Sequence, residues 1–253
     1  MSSIVTRRTL MTGLVAGAGG LVIGCDAFNE SPTFQSVLQS GERANQGLQR
    51  LISNRGALAK EFSADQRSPI FRSNGNRMPA SPAYQALMAG NFADWRLQVT
   101  GLVARPLSLS LAQLRSMPTR HQITRHDCVE GWSAIAKWSG VPLKLLLDLA
   151  GLRDGARYIV FRCADESRGT AYYESIDLID AFHPQTILAW ALNDRALPVP
   201  NGAPLRLRVE RMLGYKHAKY LMAVEAVASL DGIGGGKGGY WEDVSRYEWY
   251  AGI

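Results

Sequence analysis

Alternating apolar and polar residues predict β-strands at several places in the chain. The segments with this alternation are residues 95–101, 107–111 and 205–209. Two mainly apolar runs, residues 158–163 and 218–230, are typical of buried strands, and residues 186–193 fit either a strand or a helix. The chain is therefore expected to contain at least one sheet with a buried face.

Helical patterns are short, apart from one near the start. Residues 33–60 are polar, with an irregular apolar face at Phe34, Val37, Leu38, Leu48, Leu51 and Ile52. Shorter helices are predicted over residues 111–117, 143–149 and 176–182, and residues 63–82 are expected to be irregular. Because strands and short helices follow each other without a regular βαβ period, the pattern predicts an α+β fold with a mixed sheet.

An arginine pair, Arg7 and Arg8, precedes a short, glycine-rich apolar stretch at residues 10–23. That stretch is too short to span a bilayer and is typical of a twin-arginine export signal. A general secretory signal or a basic tail are the alternatives. Residues 22–25 resemble a bacterial lipobox, which would make Cys25 a lipid-bearing first residue of the mature chain. Cleavage nearby, with Cys25 lost or idle, is the other interpretation.

Composition excludes several classes of function. The chain carries 28 basic and 22 acidic residues, a net charge of +6, without the dense Lys/Arg run of a nucleic-acid-binding protein. Motifs for structural zinc, covalent haem or an iron–sulfur cluster are missing from the sequence. The glycine cluster at residues 231–239 lacks the glycine and hydroxyl positions of a phosphate-binding loop, which favours a turning loop.

Cys128 is the most informative single residue. It follows the basic residues Arg125 and His126, which would favour a thiolate, and it has no cysteine at metal-finger spacing. It could be a catalytic nucleophile with His126 or His183 as base, a metal ligand, or a buried inert thiol. A disulfide with Cys163 is a further alternative in an oxidising compartment.

Three blocks of sequence resemble the bacterial sulfite-oxidase-like molybdopterin oxidoreductases. The blocks are residues 126–143, residues 97–107 and residues 188–221, in the order and spacing of that family. The resemblance extends from about residue 70 to the C-terminus. It implies a sulfite-oxidase-like molybdopterin-binding fold, α+β, with mixed β-sheets and surrounding short helices, and a Mo-molybdopterin cofactor.

The resemblance also implies residue roles. Cys128 would ligate molybdenum beside two sulfurs from the pterin, and Glu130 would face the metal pocket and exchange a proton. The residues matching cofactor-binding positions are Asn74, Cys163, Asn201, Arg206, His217, Ala218 and Lys219. A buried strand thiol is the alternative for Cys163, a surface acid for Glu130, and a solvated sheet face for Arg206 and Arg208.

The expected activity is oxygen-atom transfer on a small oxoanion, S-oxide or N-oxide. The chain ends at Ile253 without the dimerisation or haem domains of sulfite oxidases proper, so it is expected to be similar to stand-alone catalytic subunits that reduce methionine sulfoxide in the periplasm. Electrons would be exchanged with a membrane haem protein or a small soluble cytochrome. The alternatives are a metal-free cysteine-nucleophile enzyme and a non-catalytic exported lipoprotein.

The sequence thus predicts three segments. They are a twin-arginine signal with lipobox over residues 1–24, a helical or irregular segment over residues 25–70, and a molybdopterin-binding oxidoreductase domain over residues 71–253. The expected location is periplasmic or otherwise extracytoplasmic, with a lipid anchor at Cys25.

Overall fold

A computed structural model describes residues 31–52 and 54–253. The arginine pair and Cys25 lie outside these residues. The chain divides into two compact units, of which the second runs from Arg55 to Ile253. The described part of the first is helix α1 (Pro32–Ile52), which is shorter than the helix predicted over residues 33–60. Within the described ranges, no helix is both long enough and apolar enough to cross a membrane.

The second unit combines two sheets with short helices. Its strands are β1 (Arg96–Gly101), β2 (Leu107–Ser110), β3 (Arg120–Cys128), β4 (Trp132–Pro142), β5 (Tyr158–Ser167), β6 (Thr170–Asp177), β7 (Ile187–Leu192), β8 (Arg195–Ala196), β9 (Arg206–Arg208) and β10 (Leu221–Val227). Its helices are α2 (Pro82–Ala89), α3 (Leu111–Ser116), α4 (Leu143–Ala150), α5 (Leu178–Ala181) and α6 (Tyr240–Ser245). Residues 186–193, left open by the pattern, thus form a strand.

One sheet has the order β2-β1-β10-β5-β6, and the other has the order β3-β4-β7-β8 with β9 paired to β7. β1 and β10 are parallel, whereas the remaining pairs are antiparallel. The prediction of an α+β fold with a mixed sheet is confirmed. The helix predicted over residues 176–182 is confined to α5, because Ile176 belongs to β6.

The two sheets share one apolar core. It contains Leu97, Val99, Phe161 and Val224 from the first sheet and Val141, Leu188 and Leu207 from the second. Helix α4 adds Leu143, Leu146, Leu147 and Ala150, which recur at the three- and four-residue spacing of one helical face. Burying one such leucine fully contributes about 1.5–3 kcal/mol, so this core holds the sheets as a fixed frame.

Strand β3, the first strand of the β3–β4 hairpin, has inward side chains that are largely polar. Gln122, Thr124, His126 and Cys128 point inward on β3, each at most 8% exposed. Sequence alternation of apolar residues therefore did not predict this strand. Its last residue, Cys128, stands opposite Trp132 across the turn.

Candidate active site

The turn between β3 and β4 places a thiol and a carboxyl at the wall of one cavity. Cys128 is 8% exposed, and the amide of Gly131 donates to its carbonyl at 3.0 Å, which closes the turn. Gly131 has a φ of 86°, a left-handed value that favours glycine. Cys128, Val129 and Glu130 line a cavity of about 340 Å³. Glu130 Oε2 accepts a hydrogen bond from Trp132 Nε1 at 2.9 Å, which orients the carboxyl.

The thiol of Cys128 is not activated by the basic residues that precede it. Burial raises its pKa above the ordinary value and the charge of Glu130 adds to this, whereas a hydrogen bond from the backbone of Glu130 and the charge of Arg206 lower it. Arg125 points to the outer face of β3, where its Nε lies 2.9 Å from the carboxylate of Asp127. The prediction that the preceding basic residues favour the thiolate is therefore wrong, because strand alternation turns Arg125 away and burial lowers the pKa of the inward-facing His126 well below its ordinary value. A bound metal cation would favour the deprotonated sulfur, which the neighbouring residues do not.

A loop after β9 forms a second wall of the same cavity. The short 3₁₀ turn Gly214–Lys216 leads into His217, Ala218 and Lys219, which all line the cavity. The Nε2 atom of His217 lies 3.1 Å from the carbonyl oxygen of Met212, so Nε2 carries the ring proton. The Nδ1 atom of His217 is buried and without a partner, which leaves an acceptor for a ligand.

Lys219 fixes an earlier segment of the chain to this wall. Its Nζ donates to the carbonyl oxygens of Asn74 at 2.6 Å, of Pro200 at 3.1 Å, and of Asn76. Its three N–H donors are therefore all used. Burial, followed by the charge of Arg206, lowers the pKa of Lys219 to about 7. Asn74 also lines the cavity, and its Oδ1 is buried without a partner.

Arg206 and Arg208 are fully buried on β9, so the alternative of a solvated sheet face is wrong. Their Cζ atoms lie 5.2 and 4.3 Å from the ring centroid of Trp138, within cation–π distance. Arg206 donates to the carbonyl oxygens of Asn201 at 3.1 Å and His217 at 3.2 Å, while its Nε is buried without a partner. Burial, followed by the charge of Arg208, lowers the pKa of Arg206 to about 9.

Asn201 faces a different cavity from Cys128. It lines a cavity of about 540 Å³ together with Arg67, Ser68 and Phe71. Its Nδ2 is buried and has no partner. Arg206 connects the two regions, because it contacts the carbonyl of Asn201 on one side and that of His217 on the other.

Cys163 stands apart from the walls of the cavity. It lies on β5, half-buried, and burial raises its pKa well above the ordinary value. Cys128 and Cys163 are both free thiols, so the disulfide alternative is wrong.

The predicted histidine bases are not available to Cys128. Both ring nitrogens of His183 contact backbone groups. The Nδ1 atom of His126 lies 2.9 Å from Arg208 Nη1, which donates to it, so the ring proton sits on Nε2 and the lone pair is used. Burial, and then Arg208, lower the pKa of His126 well below its ordinary value. This arrangement does not support a cysteine–histidine nucleophile.

Sequence reasoning missed Asp165 and an aromatic wall. Asp165, Tyr172, Tyr215, Trp241 and Tyr247 all line the cavity of Cys128. The ring centroids of Tyr215 and Tyr247 are 5.0 Å apart, and Trp241 stacks on Tyr247 at 5.9 Å. Asp165 lies in a polar stretch, residues 165–167, so its place in the sequence does not indicate a site residue. The aromatic residues come from separate segments, so the fold alone brings them together.

Residues 85–230 match the family described as the oxidoreductase molybdopterin binding domain. The chain belongs to this family. The match includes the cysteine turn, β9 and the loop of residues 214–219, which together surround the site. The chain is therefore a molybdopterin oxidoreductase, of the sulfite-oxidase-like kind that the sequence blocks indicated.

Several relatives of this molybdopterin oxidoreductase are named as methionine-sulfoxide reductases. The chain is 36% identical over 250 residues to the "Putative protein-methionine-sulfoxide reductase subunit YedZ1" of Azospira oryzae, covering 97% of this chain and 87% of the relative. It is 31% identical over 242 residues to the "Protein-methionine-sulfoxide reductase catalytic subunit MsrP" of Xanthomonas campestris, covering 88% and 70%. The MsrP of Campylobacter jejuni is 31% identical over 179 residues, covering 65% and 55%.

A solved structure shares the fold. The sulfane dehydrogenase SoxCD from Paracoccus pantotrophus superimposes with a TM-score of 0.50 at 22% sequence identity, covering 54% of this chain and 39% of that chain. This likeness confirms the sulfite-oxidase-like α+β fold. The family match also shows the cofactor, which is Mo-molybdopterin.

The residues around the site fit this cofactor. The buried side-chain atoms without a partner in the described residues include Asn74 Oδ1, His217 Nδ1, Asn201 Nδ2 and Arg206 Nε. Buried polar atoms in native proteins are nearly always hydrogen-bonded, so a group of unpaired ones marks where a ligand binds. The set contains both donors and acceptors, as a pterin ring requires, and the arginine adds positive charge for a phosphate.

Proposed function

We propose that this molybdopterin oxidoreductase is an exported sulfoxide reductase in which Cys128 is the protein ligand of molybdenum. The observation that carries the proposal is the position of the Cys128 sulfur, at the end of β3 in a cavity bordered by unpaired polar atoms. Its raised pKa favours a protonated thiol in the absence of a cation, and a coordinating metal deprotonates such a thiol.

The other predicted site residues divide into two tasks. Asn74, Asn201, Arg206, His217 and Ala218 would hold the organic part of the cofactor, and Lys219 would fix the segment that carries Asn74. Cys163 is left out of this set because it stands apart from the walls of the cavity. Glu130, oriented by Trp132, would move a proton at the cavity wall. When bound, the cofactor supplies the two-electron chemistry of oxygen-atom transfer.

An S-oxide suits the cavity better than an oxoanion. Four aromatic side chains, Tyr172, Tyr215, Trp241 and Tyr247, form part of its lining. Aromatic side chains offer a large apolar contact area, which favours a substrate with apolar arms on sulfur. The names of the relatives, methionine-sulfoxide reductases, support the same class.

Export and electron supply complete the proposal. The twin arginines Arg7 and Arg8 would direct the folded protein out of the cytoplasm, and Cys25 would carry a lipid that holds it at the membrane surface. Because the sequence has no haem or iron–sulfur motif, electrons would come from a separate haem protein, either in the membrane or a small soluble cytochrome.

The experiment compares the wild-type protein with Cys128→Ser, both purified from a host that makes the cofactor. Molybdenum content, the metal-centred absorption spectrum and the reduction of dimethyl sulfoxide and of an oxidised methionine-containing protein are measured. The control is Arg125→Gln, since Arg125 lies on the outer face of the same strand.

We expect stoichiometric molybdenum and sulfoxide reduction in the wild type and in Arg125→Gln. Cys128→Ser should lose the wild-type spectrum and at least 100-fold in rate, because it lacks the proposed metal ligand. Full activity in metal-free wild-type protein would overturn the proposal, and so would an unaltered spectrum in Cys128→Ser.

A further inference from the structure

Asp165 reaches the cavity through an irregularity in β5. The pairing of β5 with β6 is regular as far as Arg162 opposite Tyr173 and resumes only at Glu166 opposite Ala171. The pairing of β5 with β10 also shifts register beside this segment. Bulges of this kind bend a strand and re-aim a side chain, and they are frequent beside active sites. Here the irregular stretch turns a carboxyl toward the cavity wall.

The carboxyl of Asp165 is only half satisfied. The residue is 4% exposed, and its Oδ2 accepts a hydrogen bond from Asn76 Nδ2 at 3.2 Å. Its Oδ1 is buried without a partner, in a residue that lines the same cavity as Cys128 and Glu130. A buried carboxyl oxygen without a partner is unfavourable, so we expect a group bound in the cavity to complete it.

A sulfoxide in the cavity needs a hydrogen-bond donor, and Lys219 and Glu130 Oε2 are already engaged with the protein. The oxygen of a sulfoxide accepts hydrogen bonds but donates none. The three N–H donors of Lys219 are directed at carbonyl oxygens, and Glu130 Oε2 is held by Trp132. A protonated Asp165 would offer an O–H from its free oxygen.

We propose that Asp165 is a catalytic acid that donates a proton to the oxygen leaving a sulfoxide substrate. The proposal rests on the proposed function. In the reaction the S–O bond breaks, sulfur gains two electrons from the external electron donor, and the oxygen takes up two protons to leave as water. Asp165 supplies one of these protons and is recharged from solvent.

The surroundings of Asp165 raise its pKa toward neutral pH. Burial raises the pKa of Asp165 to about 6, while Asn76 and Lys219 lower it. Titratable groups that sense its charge come from the elements around it: Tyr84 on α2, Cys163 on β5, Tyr172 on β6, and Lys219 and Tyr220 before β10. Among these groups Lys219 alone is cationic, so the positive charge around the carboxyl is too small to keep it ionised at every pH.

The test compares Asp165→Asn with Glu166→Gln in the molybdenum-loaded protein. Glu166 is the next residue of the strand and is exposed. Glu166→Gln therefore makes the same carboxyl-to-amide change on the side of the strand that faces away from the cavity. Measured are molybdenum content, kcat and KM for dimethyl sulfoxide against pH, and the infrared band of a protonated carboxyl on addition of the sulfoxide. Asp165→Glu serves as the variant that retains an acid if Asp165→Asn does not fold.

We expect Asp165→Asn to keep wild-type molybdenum while kcat falls about 100-fold or more, the size of a general-acid contribution. KM should change little, and the fall in rate as pH rises through the pKa of Asp165 should disappear. The sulfoxide-sensitive carboxyl band should be absent from Asp165→Asn and present in Glu166→Gln. If Asp165→Glu is needed, it should retain the band and a larger part of kcat.

Each contrary result has a distinct meaning. Loss of molybdenum from Asp165→Asn would show a cofactor contact and overturn the acid role, as would unchanged kcat. A molybdenum-loaded wild type that reduces no sulfoxide would overturn the proposed function itself, and the role of Asp165 with it.

Discussion

Two buried cations that lie close together in the sequence have opposite surroundings. Lys216 donates to Glu174 at 2.5 Å and to Glu242 at 2.7 Å, and all three side chains are at most 1% exposed. Arg206 is equally buried, but it donates to two backbone carbonyl oxygens and is stacked near a tryptophan.

Their pKa values reflect this difference. Burial alone would lower the pKa of Lys216, but the charges of Glu174 and Glu242 outweigh it and raise the pKa. The pKa of Arg206 is lowered to about 9, because burial and Arg208 act together. The Lys216 cluster is neutralised within the protein and joins β6 to α6. The Arg206 region keeps positive charge that an anionic cofactor can balance.

The largest expected effect is on folding stability, at Lys216. Lys216→Met would leave two buried carboxyls without their cation, which should reduce the free energy of unfolding by about 3–5 kcal/mol. Urea unfolding of the cofactor-free protein measures it. Lys144→Met is the control, because Lys144 pairs with Asp148 on the surface, where such a pair contributes about 0.3–0.5 kcal/mol. Equal small losses in both variants would contradict the assigned role of the cluster.

A smaller effect, on cofactor retention, is expected at Arg206. Arg206→Gln removes a positive charge that the protein itself does not neutralise, so the cofactor-free protein should lose little stability. Hydrogen bonds to charged groups contribute about 1.5–3 kcal/mol, so retention of the cofactor should weaken about 10- to 100-fold. Molybdenum remaining after dialysis measures this, with the exposed Arg157→Gln as control. Undiminished retention would remove Arg206 from the proposed binding residues.

The smallest effect, measured per pH unit, is a pH dependence at Glu174. Burial is the main cause that raises its pKa well above the ordinary value of 4.5, so the folded state holds the proton more tightly than the unfolded state. Its contribution to stability is therefore complete below pH 4.5 and declines as pH rises, by at most about 1.4 kcal/mol per pH unit. In Glu174→Gln this decline should be absent when melting temperature is followed from pH 4.5 upward. An unaltered slope would show that Glu174 does not retain its proton.

Much of the frame was predictable because its side chains separate cleanly into core and surface. Strands β1, β5 and β10 and helix α4 follow apolar patterns that reflect burial. Strands β3 and β6 were missed, since their buried positions carry polar residues such as His126 on β3 and Glu174 on β6. His126 contacts Arg208 in the Arg206 region, and Glu174 belongs to the Lys216 cluster. Because these buried residues are polar, both strands lack the apolar alternation by which a strand is predicted.

Part of the site was predictable, including Asn74, which lies far from the other predicted residues in the sequence and still lines their cavity. The turn with Cys128 and Glu130 and the run from His217 to Lys219 do line one cavity. Asp165 was not predictable, because a strand irregularity aims it. Nor did the sequence show that Asn201 faces a second cavity, since that depends on how β9 and the preceding loop pack.

The central claim is a bond between the sulfur of Cys128 and molybdenum. X-ray absorption at the molybdenum edge counts the sulfur atoms bound to the metal, and it can be recorded on wild type and on Cys128→Ser that retains some cofactor. The account predicts one fewer molybdenum–sulfur bond in Cys128→Ser. The same number of sulfur neighbours in both proteins would contradict it.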